Sequence, residues 1–149
     1  MKAFTLIETL VAVGILALLA AIVVSGLSSF QESGELSRAA DFVAGVLRDA
    51  RGRTLAGKNQ LSYGVHFDSD ALVLFEGQTY DPDTVSNEET LLPFRIIISE
   101  ISLGGGDEVV FERLSGEANV TGTITLQIKQ EPSKTKEVQV YKSGVVEIK

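Results

Sequence analysis

The hydrophobicity pattern of the chain changes twice. From Phe4 to Leu27 the positions are almost continuously apolar, with Thr5, Glu8, Thr9 and Ser25 as the polar exceptions. At about 1.5 Å per residue such a run reaches across a bilayer core of roughly 30 Å, which predicts a transmembrane helix over residues 4–28. Past Ser28 and Ser29 an amphipathic repeat begins: Leu36, Ala39, Ala40, Val43, Leu47 and Ala50 recur at spacings of three and four, opposite Glu35, Arg38, Asp41, Arg48, Asp49 and Arg51. That stripe predicts a second, exported half of the same long helix, with one face in need of a sheet to cover it. Gly57-Lys58-Asn59 is the predicted stop, because Gly takes the left-handed conformation in which many helices end.

Beyond Asn59 the period falls to two. Leu61, Tyr63, Val65 and Phe67 alternate with Ser62, Gly64 and His66, and Asp68-Ser69-Asp70 turns the chain into an apolar run from Ala71 to Phe75, which predicts a hairpin with His66 on its solvent side. The polar stretch over residues 77–90 predicts a long loop. Apolar runs at 91–98, 109–111, 120–128, 138–141 and 145–148 predict further strands, interrupted at Gly104-Gly105-Gly106, Glu131-Pro132-Ser133-Lys134 and Ser143-Gly144. A helix followed only by strands belongs to the α+β class, here a long amino-terminal helix packed on a carboxy-terminal antiparallel sheet.

Glu8 stands out against this pattern. A charge within a bilayer-length segment costs about 3 kcal/mol even on lenient insertion scales, so this carboxylate needs an interfacial position, neutralisation or a positive partner. A secretory signal peptide has its small-residue cleavage site after the apolar core; the small residue here, Ala3, precedes the core, and cleavage there keeps the helix. The order Lys2-Ala3-Phe4-Thr5-Leu6-Ile7-Glu8 resembles the class III signal of type IV prepilins and type II secretion pseudopilins. The resemblance implies that prepilin peptidase cuts between Ala3 and Phe4 and methylates the new Phe4 amine, leaving 149 − 3 = 146 residues. It also implies a partner for Glu8: in assembled filaments of that family this carboxylate faces the amino terminus of a neighbouring subunit, which makes Glu8 the expected assembly residue. Ala12, Gly14, Ala17, Ala20 and Ala21 are small enough for close helix packing. Two departures from the family pattern are Ala3 in place of the usual Gly, and Ser25-Gly26 where many members carry Pro.

Scattered further matches are similar to the H-type minor pseudopilins and the related FimT-like minor pilins: Leu47-Arg48-Asp49-Ala50-Arg51 near the helix end, Val110-Phe111-Glu112-Arg113-Leu114-Ser115-Gly116, and Val138 to Val146 with its Gly turn. The implied organisation is a leader over 1–3, a transmembrane and assembly helix over 4–28, and an exported pilin domain over 29–149. Lys2 and the amino terminus mark the cytoplasmic side, which predicts a single-pass inner-membrane protein with its carboxy-terminal domain outside, filament-associated after assembly. The implied function is that of a minor pilin or pseudopilin in a type IV pilus or type II secretion filament. Its implied partners are other pilins or pseudopilins, prepilin peptidase, the inner-membrane assembly platform, and membrane lipid before assembly. A DNA-uptake minor pilin and a signal-anchored extracytoplasmic binding domain are the alternatives.

The net charge of −7 weighs against nucleic acid or anionic lipid as a default electrostatic partner. Without Cys, no disulfide staples the exported domain and core burial must stabilise it. The sole His, His66, has no Ser or acid at catalytic spacing, and the Gly104–Gly106 run lacks the Lys-Ser or Lys-Thr of a phosphate loop, so no enzyme is predicted. Two sets of side chains retain candidate chemistry. The loop bearing Asp81, Asp83, Asn87 and Glu88 offers oxygen ligands for calcium, although it lacks the EF-hand Gly and spacing and a solvated loop explains it as well. Arg48, Arg51, Arg53 and Lys58 form a basic set suited to DNA phosphates, against the simpler expectation of pairing with acids at helical spacing.

Overall fold

The computed structural model of the protein describes residues 5–149, except the side chains of residues 23–30 and of Lys58. The chain divides into two compact units, Met1–Gly34 and Glu35–Lys149. Helix α1 runs Leu6–Leu55. Thr5 caps its start: the Thr5 Oγ1 accepts a hydrogen bond from the Glu8 N–H at 3.3 Å, in the Thr-x-x-Glu spacing of a capping box. Glu8 thereby falls in the first turn, where the helix dipole favours a negative charge.

In the second unit the sequence stripe becomes the core. Leu36, Ala39, Ala40, Val43, Leu47 and Ala50 are each at most 4% exposed, and Ala44 joins them. After Leu55 the chain turns at Gly57, with φ +66°, and passes a short 3-10 turn, Lys58–Gln60, in which Asn59 is also left-handed. Thr54 fastens this end to the sheet: its buried hydroxyl donates to the Ala50 carbonyl and accepts the Tyr63 N–H, both at 2.9 Å.

Eight strands follow: β1 Tyr63–Phe67, β2 Ala71–Glu76, β3 Glu88–Leu91, β4 Ile96–Leu103, β5 Glu108–Phe111, β6 Gly122–Ile128, β7 Glu131–Val140 and β8 Val146–Ile148. They form two antiparallel sheets where the pattern pointed to one, in the orders β3-β2-β1-β5 and β4-β6-β7-β8. Tyr63, Val65, Phe67, Val109 and Phe111 from the first sheet and Ile96, Ile124, Leu126, Val138 and Val140 from the second share one core with the helix stripe. Burial of that apolar surface is the main force holding the unit together.

Three expectations give way. Glu88, Glu89, Thr90 and Leu91 form β3, paired with β2 from Ala71↔Leu91 to Leu74↔Glu88; all four are exposed, so this edge strand has no alternation to betray it. The apolar run over 91–98 breaks at Pro93, and β4 starts only at Ile96. The turn expected at Glu131-Pro132-Ser133-Lys134 lies one step earlier, at Lys129-Gln130. Those four residues lie in β7, where the register jumps from Gln127↔Thr135 to Ile128↔Glu131. Pro132 is tolerated because it sits among the looped-out residues, where no ladder hydrogen bond needs its missing N–H.

His66 is also not on the surface. The side chain is 13% exposed, because Tyr80 folds over it from the segment after β2, with ring centroids 4.1 Å apart and planes 11° from parallel. The Tyr80 N–H is held by Glu108 Oε2 at 2.9 Å, and Asp68 and Asp107 each lie 3.7 Å from one ring nitrogen of His66.

Candidate functional site

Among its described residues the first unit presents exposed apolar side chains. Every described side chain of α1 from Leu6 to Ile22 is exposed, including Leu6, Ile7, Leu10, Val13, Leu16, Leu18 and Ile22. The helix is therefore unlike its own second half, whose stripe is buried. Glu8 is exposed among these residues, and among the described residues none donates a side-chain hydrogen bond to its carboxylate. Ala3 and Phe4, the expected cleavage and methylation positions, lie outside the described residues. So does part of the expected span: among the described residues no helix is both long and apolar enough to cross a membrane, and the run from Phe4 to Leu27 continues past them at both ends.

The expected calcium set is not brought together. Glu88 is turned away into β3, where its two carboxylate oxygens take the Arg53 guanidinium at 2.5 and 3.0 Å. The Asp81 Oδ1 accepts the Asp83 N–H at 3.0 Å, and the Asn87 side-chain amide donates to the Asp81 carbonyl at 2.8 Å. The loop is thus closed by its own hydrogen bonds. Among the described residues no group of three or more His, Asp or Glu side chains is arranged to hold a metal ion.

The basic set is split: Arg48 and Arg51 line one groove while Arg53 turns to Asp49 and Glu88, and each of the three has structural work. Arg53 bridges Glu88 and Asp49, the latter at 2.8 Å and one helical turn away; hydrogen bonds to Glu88 and then Asp49 hold its guanidinium above the ordinary arginine range. Arg48 donates to the Val146 carbonyl at 3.0 Å. Arg51 donates from Nε to the Gly116 carbonyl at 2.9 Å and from a terminal nitrogen to the Ser143 carbonyl at 3.4 Å. Helix, mid-chain loop and carboxy-terminal turn are clamped together at that point. Gly144 completes the clamp with φ +75°, its Cα so close that an added Cβ would stand 2.0 Å from the Gly116 oxygen. The turn at Ser143-Gly144 was legible in the sequence; its meeting with Arg51 was not, because 92 positions separate Arg51 from Ser143. The helix cap at Thr5 also went unread, although the Thr-x-x-Glu spacing signals it.

No family model matches the sequence, and no curated protein matches it either. Among solved structures the arrangement is that of pilin-like proteins, a long helix packed on antiparallel strands. The type IV minor pilin FimU of Pseudomonas aeruginosa PAO1 aligns in one crystal form with a TM-score of 0.58 at 11% identity, over 80% of this chain and 92% of that one. A second crystal form of FimU aligns equally well, with a TM-score of 0.58 at 10% identity over 76% of this chain and 92% of that one. The minor pseudopilin EpsH from the type 2 secretion system of Vibrio cholerae aligns with a TM-score of 0.56 at 19% identity, over 77% of this chain and 96% of that one. The chain shares their fold.

Proposed function

We propose that this protein is a structural subunit, a minor pilin or pseudopilin, of a type IV pilus or type II secretion filament. The observation that carries the reading is the contrast along α1: uncovered apolar side chains from Leu6 to Ile22, then a buried stripe from Leu36 onward. Surface of the first kind is stable only in lipid or against other apolar helices. The Phe4-to-Glu8 signature and the fold shared with FimU and EpsH support the same assignment. In this reading prepilin peptidase cuts before Phe4, the helix rests as a single-pass anchor in the inner membrane, and the exported domain faces outward. The assembly platform then moves the helix into a bundle of like helices. Leu, Ile and Val gain little on leaving lipid for another apolar helix, so small residues provide close packing and a polar pair sets the register. Glu8 is the polar member on this chain, and the methylated Phe4 amine of a neighbouring subunit is its partner. The exposed carboxylate in the first helical turn is free to make that contact.

The test is the intact mass and amino-terminal sequence of the protein from a host with and without prepilin peptidase. A methylated Phe4 terminus that depends on the peptidase is the expected result. An uncut Met1 terminus in the presence of active peptidase overturns the processing step and leaves a signal-anchored domain.

A further inference from the structure

Of the five phenylalanines in the second unit, Phe67, Phe75 and Phe111 are core residues, whereas Phe42 and Phe94 are 39% and 87% exposed. The two lie on one flank. A groove of about 360 Å³ runs between α1 and the segment after β3, lined by Arg38, Ala39, Phe42, Leu91, Leu92 and Pro93. Leu91, Leu92 and Pro93 also line a neighbouring hollow with Phe94 and Lys129, so the apolar surface is continuous from Phe42 to Phe94. Its tip is preformed: the Ile96 N–H donates to the Pro93 carbonyl at 2.8 Å, closing a turn with Phe94 at its corner, and the Lys129 N–H donates to the Arg95 carbonyl at 2.9 Å. Contact there costs little ordering entropy.

The flank stands at the end of the unit where the chain enters it. Arg95 Nη1 lies 4.0 Å from Oε2 of Glu35, the first residue of the unit, whereas the helix ends at Leu55. Glu35 follows Leu27, the last residue of the apolar run, by eight positions, which span about 12 Å as helix and no more than about 28 Å fully extended. An anchored apolar run therefore keeps this flank within reach of the bilayer surface. The composition points to the same occupant. Lys129 Nζ lies 4.9 Å from the centre of the Phe94 ring, so a protein covering that ring would also strip water from the ammonium group, and interface cores are depleted in Lys. A lipid surface takes both, with apolar rings at headgroup depth and the charged ends of Lys and Arg among the phosphates. Arg38, Arg95 and Lys129 stand around the patch against Glu35 and Asp70, so its rim is locally cationic although the chain carries −7.

We propose that the flank from Phe42 to Phe94 rests on the surface of an anionic bilayer while the chain is anchored. Phe94 and Leu91 enter the headgroup layer, and Arg38, Arg95 and Lys129 meet lipid phosphates. The contact rests on the anchor reading and needs a single copy, before assembly.

The chain has no Cys, so introduced thiols report on single positions. Full-length Leu91→Cys and Leu114→Cys chains, both altered at exposed sites, are labelled with a nitrobenzoxadiazole dye and reconstituted into vesicles of phosphatidylcholine and phosphatidylglycerol. Leu114 is the control, in the loop that Arg51 holds near the far end of the helix. A lipid spin-labelled near its headgroup is expected to quench the Leu91 probe at least threefold more than the Leu114 probe. Phe94→Asp, at an exposed position, removes most of that difference, and Arg38→Glu combined with Lys129→Glu at least halves it. Equal quenching of the two probes, or a difference that survives Phe94→Asp, overturns the proposal. So does a Leu91→Cys thiol shielded from aqueous maleimide in filament-forming cells when vesicles give no extra quenching, a result that assigns the flank to a protein partner. Alkaline carbonate separates this contact from the reading beneath it: a chain retained in the vesicles with equal quenching sinks the lipid contact alone, and a chain stripped from them sinks the anchor as well.

Discussion

Gly144→Ala tests whether the Arg51 clamp holds the carboxy-terminal turn to the helix. The left-handed backbone, φ +75°, costs a residue with a Cβ about 1–2 kcal/mol. The new Cβ would also stand 2.0 Å from the Gly116 oxygen and 2.6 Å from Arg51 Nε, and the nearer atom is backbone, which cannot rotate aside. The loop must withdraw, and the 2.9 Å hydrogen bond from Arg51 to Gly116 goes with it. A hydrogen bond involving a charged group is worth about 1.5–3 kcal/mol, so the expected destabilisation is about 2.5–5 kcal/mol. A unit of 149 − 34 = 115 residues has a stability on the order of 6–17 kcal/mol, so the variant folds but is severely weakened. Urea titration of the full chain in mild detergent, followed by tyrosine fluorescence, measures this directly. Tyr63, Tyr80 and Tyr141 are the only tyrosines and all lie in the second unit, so the first contributes no signal. Repeating the substitution in an Arg51→Ala chain isolates the clamp: the cost of Gly144→Ala should fall there by about 1.5 kcal/mol or more. A loss below about 1 kcal/mol in the Arg51 background of the natural chain would refute the reasoning, and an unchanged cost beside Arg51→Ala would remove the guanidinium from it.

Thr54→Val keeps the shape of a buried side chain but strands the Tyr63 N–H, which predicts a loss of about 1–3 kcal/mol in the same titration; a change within 0.5 kcal/mol would show that the linkage from helix to sheet lies elsewhere. Burial first, and then the hydrogen bond to Glu76, raises the Tyr63 phenol above its ordinary value. The folded state therefore holds that proton more tightly: the associated stability is intact below about pH 10, the unfolded tyrosine value, and is lost as the pH rises through the higher folded value. Urea midpoints between pH 8 and 11.5 should fall more steeply for the natural chain than for Tyr63→Phe, and parallel curves would contradict this assignment. Glu8→Ala should leave insertion and peptidase cleavage intact while reducing recovery in sheared filaments. Glu8→Gln keeps the residue type of a capping box but not the charge, so full recovery of that variant would transfer the role of Glu8 from register pairing to helix capping.

Much of the molecule was readable along the chain, wherever the determining interaction is local or periodic. The stripe from Leu36 to Ala50 is a core face because residues three and four apart share one side of a helix, and that geometry holds whatever covers it. The helix end at Gly57-Asn59 and the hairpin of β1 and β2 follow equally from short-range chemistry. The almost continuously apolar run with Glu8 near its front is likewise a property of consecutive residues. Tertiary structure decided what depends on distant partners. β3 forms because β2 supplies an open ladder to four exposed residues that show no strand pattern of their own. His66 is covered because Tyr80, fourteen positions later, stacks on it. The charges of Arg48, Arg51 and Arg53 were visible from the outset, but not their roles: two reach carbonyls of the later chain and the third a carboxylate on β3. A sequence specifies which groups are present and how they alternate; which of them meet across 35 to 98 positions is settled only when the core closes and unpaired polar groups must find partners.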